Sequence, residues 1–214
     1  MQRSIFLLIL GVSVIVYATV ECKYQSFIMP FVLMRMKWTK SNGAFLLSLL
    51  WSFYGIGRFV GIFLSQLISP QNMLILFLSM LIFASCGTGI AAFWYINSLI
   101  WIMVPFAGFS ISIIFPTFIV WTQENALKIT GKMGGFFLFV GALGFLVDPL
   151  YVGALMENES PMYFTYLSVI QSSLALCLVL IMFRWIKSVK TKCCLANKYG
   201  CNRVIISTSE SRLQ

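Results

Sequence analysis

Residues 4–34 read SIFLLILGVSVIVYATVECKYQSFIMPFVLM, an apolar run interrupted only by the charged side chains of Glu21 and Lys23. A helix needs about 20 such residues to cross the hydrocarbon core of a bilayer, so this run is long enough to span a membrane. Alternatively, residues 1–18 act as a secretory signal peptide, since a basic residue precedes an apolar stretch that ends in small residues. We favour the spanning helix, because the apolar run resumes at Phe27, beyond the candidate cleavage position.

The composition of the whole chain matches this first run. Of 214 residues, 60% are hydrophobic and 10% are charged, whereas a soluble domain has roughly half apolar and a quarter charged residues. This excludes a soluble protein and predicts an all-α, polytopic membrane protein with six transmembrane helices. The predicted spans cover residues 4–34, 43–66, 72–93, 97–121, 132–154 and 163–185. We expect a transmembrane bundle over residues 1–186, and a disordered, basic cytoplasmic tail over residues 187–214.

The basic residues predict the orientation and the location of the protein. Seven of the fifteen Lys and Arg residues lie at or after Arg184. Basic residues beside a span favour the cytoplasmic side and attract anionic lipid, so both termini are expected in the cytoplasm of a multi-pass plasma-membrane protein. The expected partner of this charge is the lipid bilayer and not nucleic acid, because a soluble binding domain is lacking.

The charges within the spans are few and unevenly distributed. Glu21 and Lys23 lie on the first span, Arg58 on the second and Asp148 on the fifth, while the third and sixth carry none before Arg184. Charges in a bilayer face the protein interior or a water-filled cavity. We therefore expect the first, second and fifth spans inside the bundle, and the third and sixth facing lipid. This period of three helices is expected for two inverted three-helix units.

The rise along each helix predicts which of these charges meet. Lys23 lies at the level of Asp148, so the two can neutralise each other. Arg58 lies about 12 Å below Glu21, too far for a direct pair. The four charges either compensate one another structurally or form a functional site.

Three motifs follow one another along the spans. The second span contains LWSFYGIGR at residues 50–58, the fourth contains GFSISIIFPT at residues 108–117, and TGKMG at residues 130–134 opens the fifth. Together with Glu21, they resemble the second half of the major facilitator superfamily. Within it, the pattern resembles the sodium-dependent glucose transporter 1 group, also called major facilitator superfamily domain-containing protein 4.

This resemblance implies a fold and a function. The six spans correspond to helices seven to twelve of a twelve-helix secondary transporter, which moves a small polar solute by alternating access. A hexose is the expected solute and a sodium ion or a proton the expected coupling ion; no other cofactor is implied. Glu21 and Arg58 match characteristic positions of the group, and Pro116 matches a helix break that lines the central cavity. Lys23 departs from the pattern, because small or polar neighbours of Glu21 are expected there.

The side-chain chemistry of the spans gives candidate substrate-binding or gating residues, which are Glu21, Gln25, Arg58, Ser112, Gln123 and Asp148. Pro116 also removes a backbone hydrogen bond, which is tolerated in a membrane only beside protein or a cavity. Serines and Trp121 on the fourth span are favoured as packing residues. Gly57 and Gly61, and Gly131 and Gly135, have the spacing of close helix contacts.

One six-helix bundle is half of such a transporter. The chain is therefore expected to pair with a second six-helix half or with a copy of itself, or to be a fragment of a longer product. The alternative is a truncated, non-transporting membrane protein that binds or regulates a full-length relative. An enzyme is not expected, because histidine and the HExxH and GxSxG motifs are missing from the sequence.

Two modification signals remain. Asn158 begins a glycosylation sequon on a predicted outer loop. Cys193 and Cys194 follow the last span among lysines, and are either palmitoylated or unmodified thiols. A metal site is not expected, since the six cysteines form no CxxC pair and histidine is lacking.

Overall fold

A computed structural model describes residues 2–125 and 131–198. Over these residues the chain forms six α-helices, each long and apolar enough to cross a membrane. They are α1 (Gln2–Met36), α2 (Lys40–Leu67), α3 (Pro70–Phe93), α4 (Asn97–Asn125), α5 (Gly131–Asn158) and α6 (Tyr163–Lys198). Each predicted span falls within one helix, so the six-span, all-α prediction is confirmed.

The last helix is longer than predicted. Residues 187–198 continue α6 where a disordered tail was expected. The sequence explains this, because Gly200 is the first glycine or proline after the span and the intervening Lys, Leu and Ala residues favour helix. Cys193 and Cys194 therefore lie on a helix, with side chains outside the described part. The remainder of the predicted tail, 199–214, also lies outside it.

The packing of the helices repeats in the two halves of the chain. α1 packs against α5 and α6, α4 packs against α2 and α3, and α3 and α6 pack against each other. If α1, α2 and α3 are exchanged with α4, α5 and α6 in turn, these helix contacts are reproduced: α1–α5 becomes α4–α2, and α1–α6 becomes α4–α3. Short connections make successive helices antiparallel, so α1 and α4 run in opposite directions. This is the packing expected of two inverted three-helix units.

Glycines bring α2 and α4 into backbone contact. A Cβ atom on Gly57 would lie 2.8 Å from the carbonyl oxygen of Phe109, and one on Gly108 would lie 2.7 Å from that of Leu50. Both distances are too short for a real side chain. A Cβ on Gly61, one turn on, would lie 3.2 Å from an α4 side chain. The close contact predicted for this glycine pair is confirmed.

The second predicted glycine pair does not make such a contact. A Cβ on Gly131 or Gly135 would meet nothing within 4 Å, so the packing prediction for this pair is wrong. The small residue that joins α5 to α1 is Gly144, whose Cβ would lie 2.8 Å from the Cβ of Ala18. Gly131 and Gly135 do share one face of α5, but within the described residues no other helix lies close to that face.

The first helix is the most enclosed of the six. Of its most apolar stretch 67% is buried, against 22% for α2 and 28% for α5. Leu10, Val14 and Tyr17 are fully buried. Residues that a signal peptidase would remove therefore form part of the core, which favours the spanning helix.

The prediction that α2 and α5 lie inside the bundle is wrong for this chain. Both expose rows of large apolar side chains, while their polar residues occupy narrow faces. The exposed residues include Trp51, Phe53, Ile56, Phe59, Ile62 and Phe63 on α2, and Leu138, Phe139, Phe145, Leu146, Val147 and Leu150 on α5. Arg58 on α2 and Asp148 on α5 each indicate the environment of a single helix face. Neither charge predicts how much of the whole helix is buried.

Aromatic contacts fasten the turns at one end of the bundle. Trp38, after α1, stacks on Trp101 with ring centroids 4.9 Å apart and donates a hydrogen bond to Asn97 Oδ1 at 2.9 Å. Arg35 donates to the carbonyl oxygen of Ala92 at 3.2 Å. These contacts fix the connection between α1 and α2 to the connection between α3 and α4.

We expect Gly57→Ala to destabilise the protein and Gly55→Ala to leave it nearly unchanged. The added methyl group at Gly57 would collide with the backbone of Phe109, and such overpacking costs about 1–3 kcal/mol of unfolding free energy. Gly55 lies on the same helix with nothing within 4 Å of its Cβ. Thermal unfolding of the two variants in detergent makes the comparison, and equal melting temperatures would contradict the proposed close contact.

Candidate functional site

The first helix carries two charged side chains to different parts of the bundle. Residues two apart on a helix point about 200° away from each other. Glu21 therefore faces α2, and Lys23 faces α5 and α6. Because α1 is enclosed, both are buried, Glu21 to 8% exposure and Lys23 to 0%. Two polar clusters result, which we call the Glu21 cluster (Glu21, Gln25, Tyr54, Arg58) and the Lys23 cluster (Lys23, Asp148, Tyr151, Gln171).

In the Glu21 cluster, a tyrosine bridges two opposite charges. The hydroxyl of Tyr54 donates a hydrogen bond to Glu21 Oε1 at 2.8 Å, and Gln25 Nε2 donates to the same oxygen at 3.3 Å. Arg58 Nη2 donates to the Tyr54 hydroxyl at 2.7 Å. Glu21 and Arg58 form no direct ion pair, as expected, but the predicted separation of about 12 Å is wrong, because a single phenol oxygen links the two groups.

Sequence reasoning missed Tyr54, although a signal for it was present. Tyr54 lies four residues before Arg58, and residues at this spacing share a helix face. The Arg58 guanidinium carbon lies 5.1 Å from the centroid of the Tyr54 ring. An aromatic residue one turn before an intramembrane arginine could have been singled out on this ground.

Two cavities open on either side of Arg58, which is itself exposed. The first, which we call the α2–α4 cavity, has a volume of about 340 Å³. The second, the α1–α5 cavity, has a volume of about 260 Å³ and includes Glu21 in its wall. The α2–α4 cavity is lined by Arg58, Gly61, Ile62, Ser65, Pro70, Met73, Ser112, Ile113, Pro116, Thr117 and Val120. The α1–α5 cavity is lined by Ala18, Glu21, Arg58, Phe115, Phe137, Leu138, Gly141, Ala142 and Phe145.

Pro116 provides a polar backbone group beside the α2–α4 cavity. Proline has no N–H, so the carbonyl of Ser112 receives no helical hydrogen bond from residue 116. Ser112 and Pro116 both line the cavity, and the Ser112 hydroxyl donates to the carbonyl of Phe109 at 2.9 Å. This is the setting in which an unpaired carbonyl is tolerated in a membrane.

The helix break predicted at Pro116 is not an interruption of α4. The helix is continuous from Asn97 to Asn125 and contains both Pro105 and Pro116. Each proline removes one hydrogen bond from the ladder, and the remaining bonds keep the helix intact.

The Lys23 cluster forms a closed ring of polar contacts among three helices. Lys23 Nζ lies 3.8 Å from Asp148 Oδ1, and both side chains are fully buried. Lys23 also donates to Gln171 Oε1, and Gln171 Nε2 donates to the Tyr151 hydroxyl. The ring closes where that hydroxyl donates to Asp148 Oδ1 at 2.8 Å. The predicted neutralisation of Lys23 by Asp148 is confirmed.

Gln171 was also missed, because α6 was expected to face lipid. One face of α6 is nevertheless polar. Ser168 and Ser172 are fully buried and lie at helical spacing from Gln171. Three polar residues on one face of an otherwise apolar span were the signal that could have revealed this contact.

The remaining candidates lie outside both clusters. Gln123 is exposed near the end of α4, and Asn158 is the exposed last residue of α5. Trp121 is buried with its ring 4.8 Å from that of Phe183, and Ser110 is buried and donates to a carbonyl of its own helix. The packing interpretation of Trp121 and Ser110 is confirmed. Within the described residues, no group of three or more His, Cys, Asp or Glu side chains could hold a metal ion.

We expect Lys23→Met and Asp148→Asn each to destabilise the protein strongly, and the double variant to recover most of the loss. Removing one member of a buried ion pair leaves an uncompensated charge and costs about 3–5 kcal/mol. The free energies of unfolding of the three variants form a double-mutant cycle. Lys40→Met, at an exposed lysine, is the control. Additive effects of the two single changes would contradict a paired role.

Three curated proteins are similar to this chain over 66% of its length. They are sodium-dependent glucose transporter 1A of Mus musculus, 26% identical over 147 residues, and sodium-dependent glucose transporter 1 of Rattus norvegicus, 27% identical over 149 residues. The third is sodium-dependent glucose transporter 1 of Danio rerio, 26% identical over 147 residues.

The similarity covers a limited part of each relative. The matched stretch is 33%, 29% and 23% of the three relatives in turn, so it spans a third or less of their length. No protein-family model matches the chain. All three names are those of transporters. The resemblance of the motifs to the sodium-dependent glucose transporter 1 group is confirmed as a distant similarity of this six-span chain to those proteins.

Proposed function

We propose that the chain is one six-helix half of a major facilitator transporter that moves a small polar solute across a membrane by alternating access. The observation that carries this proposal is the bridge from Glu21 through Tyr54 to Arg58, because it joins α1 to α2. Arg58 lies in the walls of both cavities. Ionisable groups inside a membrane that line a cavity are typical of solute and ion pathways.

A hexose is the solute we propose. The relatives are named for glucose, and the cavity walls contain the groups that sugars use. Arg58 and Ser112 offer polar groups in the α2–α4 cavity. In the α1–α5 cavity, Glu21 and Arg58 offer hydrogen-bonding groups, and Phe115 and Phe137 offer apolar ring surface. The α2–α4 cavity, at about 340 Å³, falls at the lower end of the range of about 300–1,000 Å³ for small-molecule sites.

Sodium is the coupling ion we propose, with a proton as the alternative. The names of the relatives include sodium dependence. Glu21 is the carboxylate that lines the α1–α5 cavity. It makes no direct ion pair with Arg58, which lines the same cavity, so a sodium ion bound at Glu21 would share the cavity with this arginine. No other cofactor is proposed.

The outer faces of α2 and α5 support pairing with a second six-helix half or with a second copy. Both helices expose large apolar side chains. On α5, a Cβ on any of the glycines at 131, 134, 135 and 141 would meet nothing within 4 Å, so another backbone can approach closely there. We place the assembly in the plasma membrane with both termini in the cytoplasm, on the basis of the basic residues from Arg184 onward.

The alternative function is a non-transporting membrane protein that binds or regulates a full-length relative. The observation in its favour is that the match covers a third or less of each relative. The same exposed faces of α2 and α5 would then contact that relative.

Uptake of labelled glucose tests the proposal. Cells expressing the chain, alone or with the first six helices of the mouse relative, should accumulate glucose in sodium medium. We expect Glu21→Gln and Arg58→Gln each to lower uptake at least tenfold at equal surface expression, because each removes the charge at one end of the Tyr54 bridge. Glu157→Gln, at an exposed glutamate of α5, should have no effect.

The outcomes separate the two functions. Background uptake in both settings would contradict transport, whereas full uptake by Glu21→Gln and Arg58→Gln would contradict the role of the Tyr54 bridge in it. Crosslinking of the chain to a co-expressed full-length relative, without uptake, would favour the regulatory alternative. A chain that stays monomeric in membranes would argue against both kinds of pairing.

A further inference from the structure

The ammonium group of Lys23 lies where a bound cation would lie. Its contacts in the cluster are to oxygens, Asp148 Oδ1 at 3.8 Å and Gln171 Oε1. The hydroxyl of Tyr151 donates a hydrogen bond to Asp148 Oδ1 at 2.8 Å and accepts one from Gln171 Nε2. The second carboxylate oxygen, Asp148 Oδ2, is buried and has no hydrogen-bond partner among the described residues.

These oxygens form the type of set that binds hard cations. Carboxylate, amide and hydroxyl oxygens coordinate Na⁺, Mg²⁺ and Ca²⁺ in preference to softer metals. They come from α5 and α6, whereas the ammonium reaches them from α1 on a flexible stem. A buried carboxylate that stays ionised is stabilised by an adjacent positive charge. In this cluster, Lys23 supplies that positive charge.

The Glu21 cluster differs from the Lys23 cluster in how its carboxylate is neutralised. Glu21 lies two residues from Lys23 on the same helix, but its positive neighbour Arg58 is held off by Tyr54. Glu21 also lines a cavity, whereas Asp148 lines neither of the two described here. Glu21 is therefore neutralised indirectly, through Tyr54, while Asp148 has Lys23 as a directly adjacent counterion.

We propose that Lys23 acts as a tethered cation in an oxygen-lined site built on Asp148, and that this site binds Na⁺ once the lysine side chain is removed. The site is formed by Asp148, Tyr151 and Gln171, and its net charge changes from zero to minus one when Lys23 becomes neutral. This inference goes beyond the transport function and holds whether or not the chain carries a solute.

Thermal unfolding of the full chain in detergent tests the proposal. Melting temperatures are measured in sodium chloride and in N-methyl-D-glucamine chloride of equal ionic strength. Every variant also carries Glu21→Gln, so that a response through Glu21 does not contribute. We expect Lys23→Ala to melt higher in sodium than in N-methyl-D-glucamine, with a saturable dependence on sodium. At tenfold above the dissociation constant, the rise should be about 3–6 °C.

Three controls accompany this variant. The Glu21→Gln parent should melt at the same temperature in both salts, because Lys23 still occupies the site. Lys23→Ala combined with Asp148→Asn should lose the sodium response, because the charged ligand is gone. Lys40→Ala, at an exposed lysine, should resemble the parent.

Each remaining outcome overturns the proposal. A sodium response of the parent that Asp148→Asn abolishes would mean that an external cation binds beside Lys23. A response that persists without Asp148 would place the sodium elsewhere. Lys23→Gln is the second variant, in case Lys23→Ala does not fold, and the same response is expected. If neither variant responds to sodium, or if neither can be purified even in sodium, the site is not a cation site.

Discussion

The charges on α1 have to be compensated inside the bundle, and the rest of the structure depends on this constraint. In a bilayer, water is not available to solvate a buried ammonium or carboxylate, and an unpaired charge costs several kcal/mol. Lys23 is fully buried and meets Asp148 of α5 at 3.8 Å, while Gln171 of α6 accepts a hydrogen bond from it. The contact therefore determines how α5 and α6 lie against α1. Gly144 complements it, because the missing side chain lets α5 reach α1 near Ala18.

The other half of the bundle is held by a different means. Where α1 meets α5 through an ion pair and one glycine, α4 meets α2 through Gly57 and Gly108. The helix pairs α1–α5 and α4–α2 are equivalent under exchange of the two three-helix units. The ion pair thus lies at only one of these two equivalent interfaces. The other interface has close backbone packing, and beside it lies the α2–α4 cavity with Arg58 and Ser112 in its wall.

Much of this arrangement could be predicted from the sequence, and the failures share a cause. The six spans follow from the length and apolar composition of each run. The Lys23–Asp148 pair follows from the number of residues between each charge and the end of its helix, which fixes its depth in the membrane. Tyr54 and Gln171 were missed because neutral polar residues give weak signals in apolar spans. The exposure of α2 and α5 was missed because a single charge, such as Arg58, identifies one face only. Contacts between helices depend on rotation about each axis, which residue spacing constrains loosely.

The unequal surroundings of the two carboxylates bear on how a chain like this could depend on sodium. Asp148 has Lys23 as its neighbour, and a cation that joined them would add a second positive charge to a cluster that is already neutral. Glu21 accepts hydrogen bonds from Tyr54 and Gln25. The Tyr54 hydroxyl in turn accepts a hydrogen bond from the exposed Arg58. A cation or a solute near Arg58 would change the hydrogen bonding of Tyr54, and through it that of Glu21. Within the described part of the chain, this linkage makes Glu21, and not Asp148, the carboxylate whose hydrogen bonding depends on Arg58.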